Sequence, residues 1–233
     1  MEDTTVVITG GSRGIGRAVA EAFAAAGAGV VICGRDLAGV DRTVRRLNES
    51  TDSQRVSGLR ADVRDAGDVG ALIDHAVDRG GEIDILLANA AVNHGMPGEM
   101  PLCEESDSVF RDTMATNVNG VFTTIKKSVP YLAPAARVLV PSGSVAREAT
   151  PGMGSYAVSK AGAEALARGF AADLDRTVCV VDPGLVATEL TGVDTARDPA
   201  AIAPMFLWAA READAEEIDG EIVDLKTWKQ ATR

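Results

Sequence analysis

Aromatic residues, lysine and cysteine are all scarce in this sequence of 233 residues. Aromatic side chains make up 4% of it, and lysine occurs at five positions against 18 arginines. The cysteines Cys33, Cys103 and Cys179 are odd in number and include no Cys-x-x-Cys pair, so a disulfide framework is not indicated. We therefore expect three reduced cysteines that serve as packing residues, and no metal site is predicted.

Positive charge is in deficit as well, because 23 lysine and arginine residues face 34 acids and leave a net charge of −11. Nucleic acids and anionic membranes require a basic footprint, so neither is expected as a partner. No apolar run is long enough to span a bilayer, and residues 1–5 are acidic where a signal peptide is basic and then apolar. A cytoplasmic location is the resulting expectation.

The same acidic, lysine-poor composition is typical of proteins from a high-salt cytoplasm. A GC-rich genome could produce part of this bias, so halophily is a hypothesis. A maximum of activity or thermal stability below about 0.2 M salt would count against it.

Hydrophobic residues make up 46% of the chain, and short apolar runs alternate with helical patterns throughout. This alternation predicts an α/β fold, a doubly wound parallel sheet of seven strands with helices on both faces, in a single domain over residues 1–233. Strands are predicted at residues 5–9, 29–33, 55–60, 83–88, 137–140, 177–181 and 220–225. Helices are predicted at residues 17–26, 37–50, 66–79, 104–129, 155–174 and 200–211, with Pro130 and Pro134 ending the fourth.

Tyr156 and Lys160 are the most informative pair in the sequence. A spacing of four residues places both side chains on one face of a helix. A neighbouring ammonium favours the phenolate, so it can lower a phenol pKa that is ordinarily about 10 and create an acid/base unit. Taken alone, the pair could equally be an exposed polar pair on an amphipathic helix.

A glycine-rich loop follows the first predicted strand and precedes a helix, in the sequence Thr9-Gly10-Gly11-Ser12-Arg13-Gly14-Ile15-Gly16. Glycines permit a tight turn and let the backbone approach a pyrophosphate, while the free N–H groups of the helix N-terminus face the anion. The order of strand, loop and helix is that of a dinucleotide-binding motif.

This loop resembles the T-G-x-x-x-G-x-G motif of the short-chain dehydrogenase/reductase family, and further motifs extend the resemblance over nearly the whole chain. The family resemblance implies a Rossmann fold and hydride transfer between a nicotinamide cofactor and a carbonyl or alcohol. It implies cofactor contacts from Gly10, Ser12, Arg13, Gly14, Ile15, Gly16, Arg35, Asp62, Val63, Asn89, Ala90, Tyr156, Lys160, Pro183, Gly184, Val186 and Thr188.

The cofactor choice depends on residues at the end of the second strand. Arg35 follows that strand directly, and an arginine there accommodates the 2′-phosphate of NADP(H). Arg13 in the glycine loop supplies a second guanidinium, since arginine pairs with phosphate in a bidentate manner. NADP(H) is therefore preferred, although the neighbouring Asp36 keeps NAD(H) possible.

Other positions take their expected roles from the resemblance. Asp62 would meet the adenine amino group, and Val63 would contact the ring through its backbone. Asn89-Ala90-Ala91 resembles the family's N-A-G turn with alanine in place of glycine, and Pro183-Gly184-Leu185-Val186-Ala187-Thr188 resembles P-G-x-x-x-T. Val186 and Thr188 would hold the nicotinamide carboxamide.

The resemblance implies a catalytic set of Asn117, Ser144, Tyr156 and Lys160. Asn117 would hold a water that links Lys160 to solvent. The segment from Ser144 to Tyr156 is one residue shorter than is usual in the family, which leaves Ser142 as a second candidate for the catalytic serine. His94 is expected to be a surface or substrate-contact residue and is given no catalytic role.

The resemblance thus predicts an enzyme acting on a small-molecule carbonyl or alcohol, either a 3-oxoacyl thioester or another aldehyde, ketone or sugar. A non-catalytic NADP(H)-binding sensor on the same fold is the alternative. About ten residues separate Thr188 from the helix near Pro199, so a short lid and an open pocket are expected. Helices 104–129 and 155–174 are where a homodimer or homotetramer is expected to form.

Overall fold

The computed structural model describes all 233 residues, in which seven strands and nine α-helices follow one another along the chain. The strands are β1 (Thr5–Thr9), β2 (Gly29–Gly34), β3 (Val56–Arg60), β4 (Ile83–Leu87), β5 (Leu132–Pro141), β6 (Thr177–Asp182) and β7 (Ile222–Asp224). The helices are α1 (Gly14–Ala25), α2 (Leu37–Thr51), α3 (Ala66–Gly80), α4 (Asp107–Met114), α5 (Gly120–Ser128), α6 (Gly154–Asp173), α7 (Pro199–Arg211), α8 (Ala215–Ile218) and α9 (Leu225–Ala231).

All seven strands pair in parallel in the order β3-β2-β1-β4-β5-β6-β7, which confirms the predicted doubly wound sheet. The chain first moves outward from β1 to β3 and then returns to place β4 on the other side of β1. Sheets of this kind bind ligands in the crevice at the carboxyl ends of the strands where the order reverses. The loops after β1 and β4 border that crevice.

Helices cover both faces of the sheet because side chains along each buried strand point alternately to opposite sides. In β1, Val6 and Ile8 pack into one core with Phe23 of α1 and Phe206 of α7. Val7 points the other way into a second core, which includes residues of α3, α5 and α6. Burial of the strands on both faces accounts for their continuous apolar runs.

The predicted helix over 104–129 is wrong as a single element. Residues Leu102–Glu104 form a short 3₁₀ turn, and α4 begins only after Ser106, whose hydroxyl accepts a hydrogen bond of 3.3 Å from the N–H of Val109. A π-helical turn, Ala115–Asn119, then separates α4 from α5. Pro130 lies in the 3₁₀ turn after α5, as a helix end requires, whereas Pro134 lies within an irregular part of β5.

Smaller differences have local causes. Helix α1 begins at Gly14, three residues before the predicted start. Strand β7 ends at Asp224 because its carboxylate accepts a hydrogen bond of 2.7 Å from the N–H of Thr227 and so caps α9, a helix that was not predicted. The expectation that all three cysteines pack in the interior is wrong for Cys103, which is exposed, whereas Cys33 and Cys179 are buried.

No helix combines the length and the apolar character that a membrane crossing needs.

Candidate active site

The loop between β1 and α1 can be built only with glycine at several positions. Gly10 and Gly14 have φ angles of +67° and +53°, in the left-handed region that favours glycine. A Cβ atom at Gly16 would lie 2.3 Å from the carbonyl oxygen of Gly10. The backbone therefore forms a tight cradle at the carboxyl end of β1, and that cradle fits a pyrophosphate.

The N-terminus of α1 is open, unlike the N-termini of six other helices. Six helices begin at a residue whose side chain accepts a backbone N–H, namely Asp36, Asp65, Ser106, Asp198, Asp214 and Asp224. Helix α1 begins after Arg13, which makes no such bond, and its first turn contains no acid. Its free N–H groups and positive dipole end thus suit an anionic ligand.

Residues from four segments of the crevice line one hollow beside this loop, which we call the glycine-loop hollow. The predicted cofactor residues that line it are Gly10, Ser12, Arg13, Gly14, Ile15, Arg35, Asp62, Val63, Asn89, Ala90 and Thr188. Gly16 lies under the loop against Gly10, and Val186 is buried. Pro183 and Gly184 line the adjoining pocket around Tyr156.

Asn89 and Thr9 fix the glycine loop to the end of β4. The Asn89 Nδ2 atom donates hydrogen bonds to the carbonyl oxygens of Thr9 (2.9 Å) and Gly10 (3.2 Å). The Thr9 hydroxyl in turn accepts from the backbone N–H groups of Asn89 (3.0 Å) and Ala90 (3.1 Å). The structural role of Thr9 was not predicted, and the alanine at position 91 leaves this arrangement in place.

A second hollow, which we call the arginine hollow, lies beside the end of β2. It is lined by five arginines, Arg13, Arg17, Arg35, Arg42 and Arg46. Arg35 forms no ion pair, whereas Arg13 pairs with Glu189. Sequence reasoning missed Arg17, Arg42 and Arg46. Helical spacing could have found two of them, since Arg17 lies four residues after Arg13 and Arg46 lies four residues after Arg42.

Asp36, the residue that kept NAD(H) possible, caps the N-terminus of α2. Its Oδ1 atom accepts a hydrogen bond of 3.1 Å from the N–H of Ala38, and its Oδ2 atom lies 3.7 Å from Arg42. Asp62, which lines the glycine-loop hollow, is bound by Arg64, and this contact holds the pKa of its carboxyl below the usual value. Both acids are therefore already engaged with nearby cations or N–H groups.

Tyr156 and Lys160 lie one turn apart near the start of α6, as predicted. The Lys160 Nζ atom is 5.7 Å from the centre of the Tyr156 ring and donates a hydrogen bond of 2.9 Å to the carbonyl oxygen of Pro141. Both residues line a pocket together with Ser142, Ser144 and Asn89. This Tyr156 pocket joins the glycine-loop hollow through Ile15, Asn89 and Thr188, which line both.

The pKa values differ from the sequence-based expectation. Burial raises the pKa of Tyr156 to about 12, so the phenol is protonated at neutral pH. Burial lowers the pKa of Lys160 to about 8, although the charges of Glu164 and Asp182 oppose this shift. Burial of the phenol outweighs the lowering expected from Lys160, whose Nζ atom is bonded to Pro141, so the pKa of Tyr156 lies above the ordinary value and not below it.

The two candidate serines differ in where their hydroxyl groups point. Ser142 is buried, and its Oγ atom donates a hydrogen bond of 2.7 Å to Oε1 of Glu164. Ser144 begins a 3₁₀ turn, Ser144–Ala146, and its hydroxyl makes no hydrogen bond within the protein. Of the two, Ser144 has the hydroxyl that is available to a molecule in the pocket.

A buried ionic network lies behind Ser142 and Lys160. The Arg147 guanidinium pairs with both Glu164 and Asp182, whose side chains are nearly inaccessible. Asp182 also accepts a hydrogen bond of 3.0 Å from the N–H of Gly184 and thereby holds the Pro183-Gly184 turn. Sequence reasoning missed this network. Only Glu164 carried a signal, as it lies one helical turn after Lys160.

Asn117 lies in the π-helical turn between α4 and α5, and its side chain joins three segments. Its Oδ1 atom accepts from the N–H of Val92 (2.8 Å), while Nδ2 donates to the Val92 carbonyl oxygen (2.9 Å) and to Oγ of Ser159 (2.9 Å). Both amide hydrogens are thus used in tying the loop after β4 to α6. Isolated π turns occur frequently at functional sites.

His94 does not line the Tyr156 pocket. Its Nε2 atom lies 2.8 Å from Oδ2 of Asp112, which also pairs with Arg64. The geometry agrees with giving His94 no catalytic role.

Comparison with known proteins gives one family. A family model described as short chain dehydrogenase matches residues 4–198. Chlorophyll(ide) b reductase NOL of Oryza sativa subsp. japonica is 33% identical over 196 residues, a match that covers 79% of this chain and 56% of the rice protein. The chain thus spans little more than half the length of that relative.

Two further proteins are similar over more of their own length. The 3-oxoacyl-acyl-carrier-protein reductase FabG of Staphylococcus aureus is 29% identical over 194 residues, covering 80% of this chain and 76% of the relative. The crystal structure of a short chain dehydrogenase from Shigella flexneri 2a, complexed with NADP, superposes with a TM-score of 0.86 at 26% identity. That superposition covers 97% of this chain and 98% of the Shigella chain.

Proposed function

The chain belongs to the short chain dehydrogenase family, and from this premise we propose that it is an NADP(H)-dependent oxidoreductase for carbonyl compounds and secondary alcohols. One observation carries the proposal. Tyr156, Lys160 and the free hydroxyl of Ser144 surround a single pocket that joins the glycine-loop hollow through shared walls. A cofactor in that hollow would present its reactive end beside Tyr156.

The arginine hollow supports NADP(H) over NAD(H). Arg35 has no ion-pair partner, and four other arginines surround the same space, so a phosphate dianion there would gain several charge-assisted hydrogen bonds. The carboxylate of Asp36 is already used in capping α2 and beside Arg42, which leaves it poorly disposed to accept from a ribose hydroxyl. Binding of NADP(H) would also compete with the Arg13–Glu189 pair.

When bound, a nicotinamide cofactor would supply or accept the hydride. In the reductive direction Tyr156, protonated at neutral pH, donates its proton to the carbonyl oxygen of the substrate. The Ser144 hydroxyl hydrogen-bonds the same oxygen while negative charge develops on it. The raised pKa of Tyr156 favours this direction at neutral pH, because oxidation of an alcohol would need the phenolate.

Lys160 acts as the positive charge beneath the phenol. Its ammonium stabilises the negative charge that Tyr156 acquires when the proton leaves, and it would contact the nicotinamide ribose. Glu164 and Asp182 raise the pKa of Lys160 against the effect of burial. The bonds of Asn117 to Val92 and Ser159 support a role in holding α6 in register with the loop after β4. A water relay through Asn117 stays a prediction.

The remaining cofactor contacts follow the same arrangement. Asp62 and Val63 would border the adenine, and Thr188 with the backbone of Val186 would hold the carboxamide. The turn at Pro183 and Gly184 is fixed by Asp182 before any ligand binds.

Assembly and location also remain predictions. Phe110, Phe122 and Val158 are large apolar residues on α4, α5 and α6 that are 36–40% exposed, which supports pairing of subunits through these helices. A cytoplasmic location and adaptation to high salt follow from composition alone.

The test is consumption of NADPH and NADH by the purified protein over a panel of aldehydes, ketones and thioesters, at low and high salt. We expect turnover of at least one carbonyl compound, with NADPH preferred over NADH. Tight NADPH binding without oxidation across the panel would instead favour the sensor function.

A further inference from the structure

Building on the proposed function, we propose that the Tyr156 pocket takes an uncharged carbonyl compound with apolar substituents and discriminates against carboxylates and phosphate-bearing thioesters. Apart from Tyr156 and Lys160, no residue that lines the pocket is ionisable. The walls beyond the predicted nicotinamide contacts are provided by Pro97, Val145, Met153, Leu185 and Leu190. An anionic group on a substrate would therefore lie among these side chains without a counter-ion.

Lys160 cannot serve as that counter-ion. Its Nζ atom is buried under the Tyr156 ring and donates to the Pro141 carbonyl oxygen at 2.9 Å. A carboxylate that reached it would have to displace the reacting carbonyl from Tyr156. Transfer of an unpaired anion out of water costs several kcal/mol or more. Because no other cation lines the pocket, a substrate that carries a carboxylate would bear this cost on binding.

The guanidinium groups nearest to the pocket do not line it. Arg147 is held by Glu164 and Asp182, which already balance its charge. Arg197 contacts Gly184, with Nη1 3.0 Å from the position of a Cβ atom there, and it forms no ion pair. It is the one cation that a charged substrate could recruit by a side-chain movement.

The loops that border the entrance add negative charge. Residues 93–105, 144–153 and 185–197 contain the acids Glu99, Glu104, Glu105, Glu148, Glu189 and Asp194, but only the arginines Arg147 and Arg197. The protein as a whole carries −11. Such a surface repels an approaching anion, including the phosphodiester of a carrier-linked thioester, and slows its association.

The entrance is also apolar. Leu185 is 52% exposed and Met96 is 49% exposed, although both lie in loops that border the pocket. Met96 packs across the short lid, since a Cβ atom on Gly192 would lie 3.2 Å from its Sδ and Cε atoms. An alkyl or aryl substituent of the substrate would cover these side chains and remove their surface from water.

Matched pairs of substrates test the inference on the native protein with saturating NADPH. Ethyl acetoacetate is compared with acetoacetate, ethyl benzoylformate with benzoylformate, and the acetoacetyl thioester of N-acetylcysteamine with acetoacetyl-CoA. The uncharged member of each pair is expected to have a kcat/KM about 100-fold higher. Discrimination of this size is typical when binding of the wrong substrate leaves a buried charged or polar group without a partner.

Equal or higher kcat/KM for the charged members would overturn the inference. If Arg197→Gln then lost activity toward the charged members only, Arg197 would be identified as their counter-ion. No NADPH oxidation with any member would count against the proposed function itself, which is a separate result.

A gain-of-function variant provides a second test. Leu185→Arg places a cation at an exposed position of the pocket wall and should raise kcat/KM for acetoacetate relative to its ethyl ester about tenfold or more. Leu185→Gln, of similar size and uncharged, should leave the ratio unchanged. If both folded variants give the native ratio, the missing counter-ion is not what excludes carboxylates.

Discussion

The hydroxyl of Ser142 donates a hydrogen bond of 2.7 Å to Oε1 of Glu164, and both residues are buried. This bond directs the Ser142 proton away from the Tyr156 pocket, while the Ser144 hydroxyl has no partner in the protein. The two serines are therefore expected to have separate functions, one in holding the ionic network and one in contacting the substrate.

Substitution of each serine tests that division. Ser144→Ala should lower kcat about 100-fold or more with little loss of stability, since it removes a donor to the developing oxyanion. Ser142→Ala should lower the free energy of unfolding by about 1–2 kcal/mol and change kcat only a few-fold. Steady-state kinetics and urea unfolding measure both effects. Loss of activity in Ser142→Ala alone would reverse the assignment.

Arg35 should determine the cofactor preference. Arg35→Ala removes an unpaired guanidinium of the arginine hollow and should raise KM for NADPH about 10- to 100-fold while leaving KM for NADH nearly unchanged. Arg211→Ala, at an exposed position at the end of α7, is the control. An equal effect of Arg35→Ala on both cofactors would contradict recognition of a 2′-phosphate.

The pH dependence of reduction should report Lys160. Because its pKa is about 8, Lys160 is a cation at pH 7 and loses its charge above pH 8, whereas Tyr156 with a pKa of about 12 stays protonated. The kcat/KM for reduction should therefore be level below about pH 7 and fall above pH 8.

Glu164→Gln should move that fall to lower pH, because the carboxylate of Glu164 raises the pKa of Lys160. The amide keeps an acceptor for Ser142 and Arg147, so the packing is largely retained. A profile that stays level to pH 10 in the native protein would show that the charge of Lys160 is not required.

Arg147 should be important for stability. Arg147→Met leaves the buried carboxylates of Glu164 and Asp182 without their cation, which should cost about 3 kcal/mol in the free energy of unfolding. Arg111→Met removes an exposed pair with Asp107 and should cost less than about 0.5 kcal/mol. Equal urea midpoints for the two variants would mean that the network contributes little.

Most of the fold could be predicted from local sequence patterns. The β-branched run of Thr5–Thr9 and the following glycines placed β1 and the loop within a residue, and the alternation of strands and helices gave the confirmed seven-stranded parallel sheet. The prediction of one helix over 104–129 is wrong, because the apolar spacing there is helical throughout. The start of α4 at Asp107 and the π turn depend instead on contacts of Ser106 and Asn117.

In the site, too, local features could be predicted from the sequence and contacts between distant residues could not. Motifs identified Tyr156 and Lys160, whose separation is local, but not the partners of Ser142 and Arg147. Glu164 lies 22 residues after Ser142, and Asp182 lies 35 after Arg147, so only the folded sheet and α6 bring them together. The pKa of Tyr156 was also inaccessible to sequence reasoning, because it depends on how much water reaches the phenol.

In the proposed reaction, Tyr156 delivers a proton to a carbonyl compound that NADPH reduces. The most direct test is Tyr156→Phe, with turnover and NADPH affinity measured on the same preparation. We expect kcat to fall about 1000-fold or more while the Kd for NADPH stays within about threefold of the native value. A variant that retains more than about a tenth of the native kcat would contradict it.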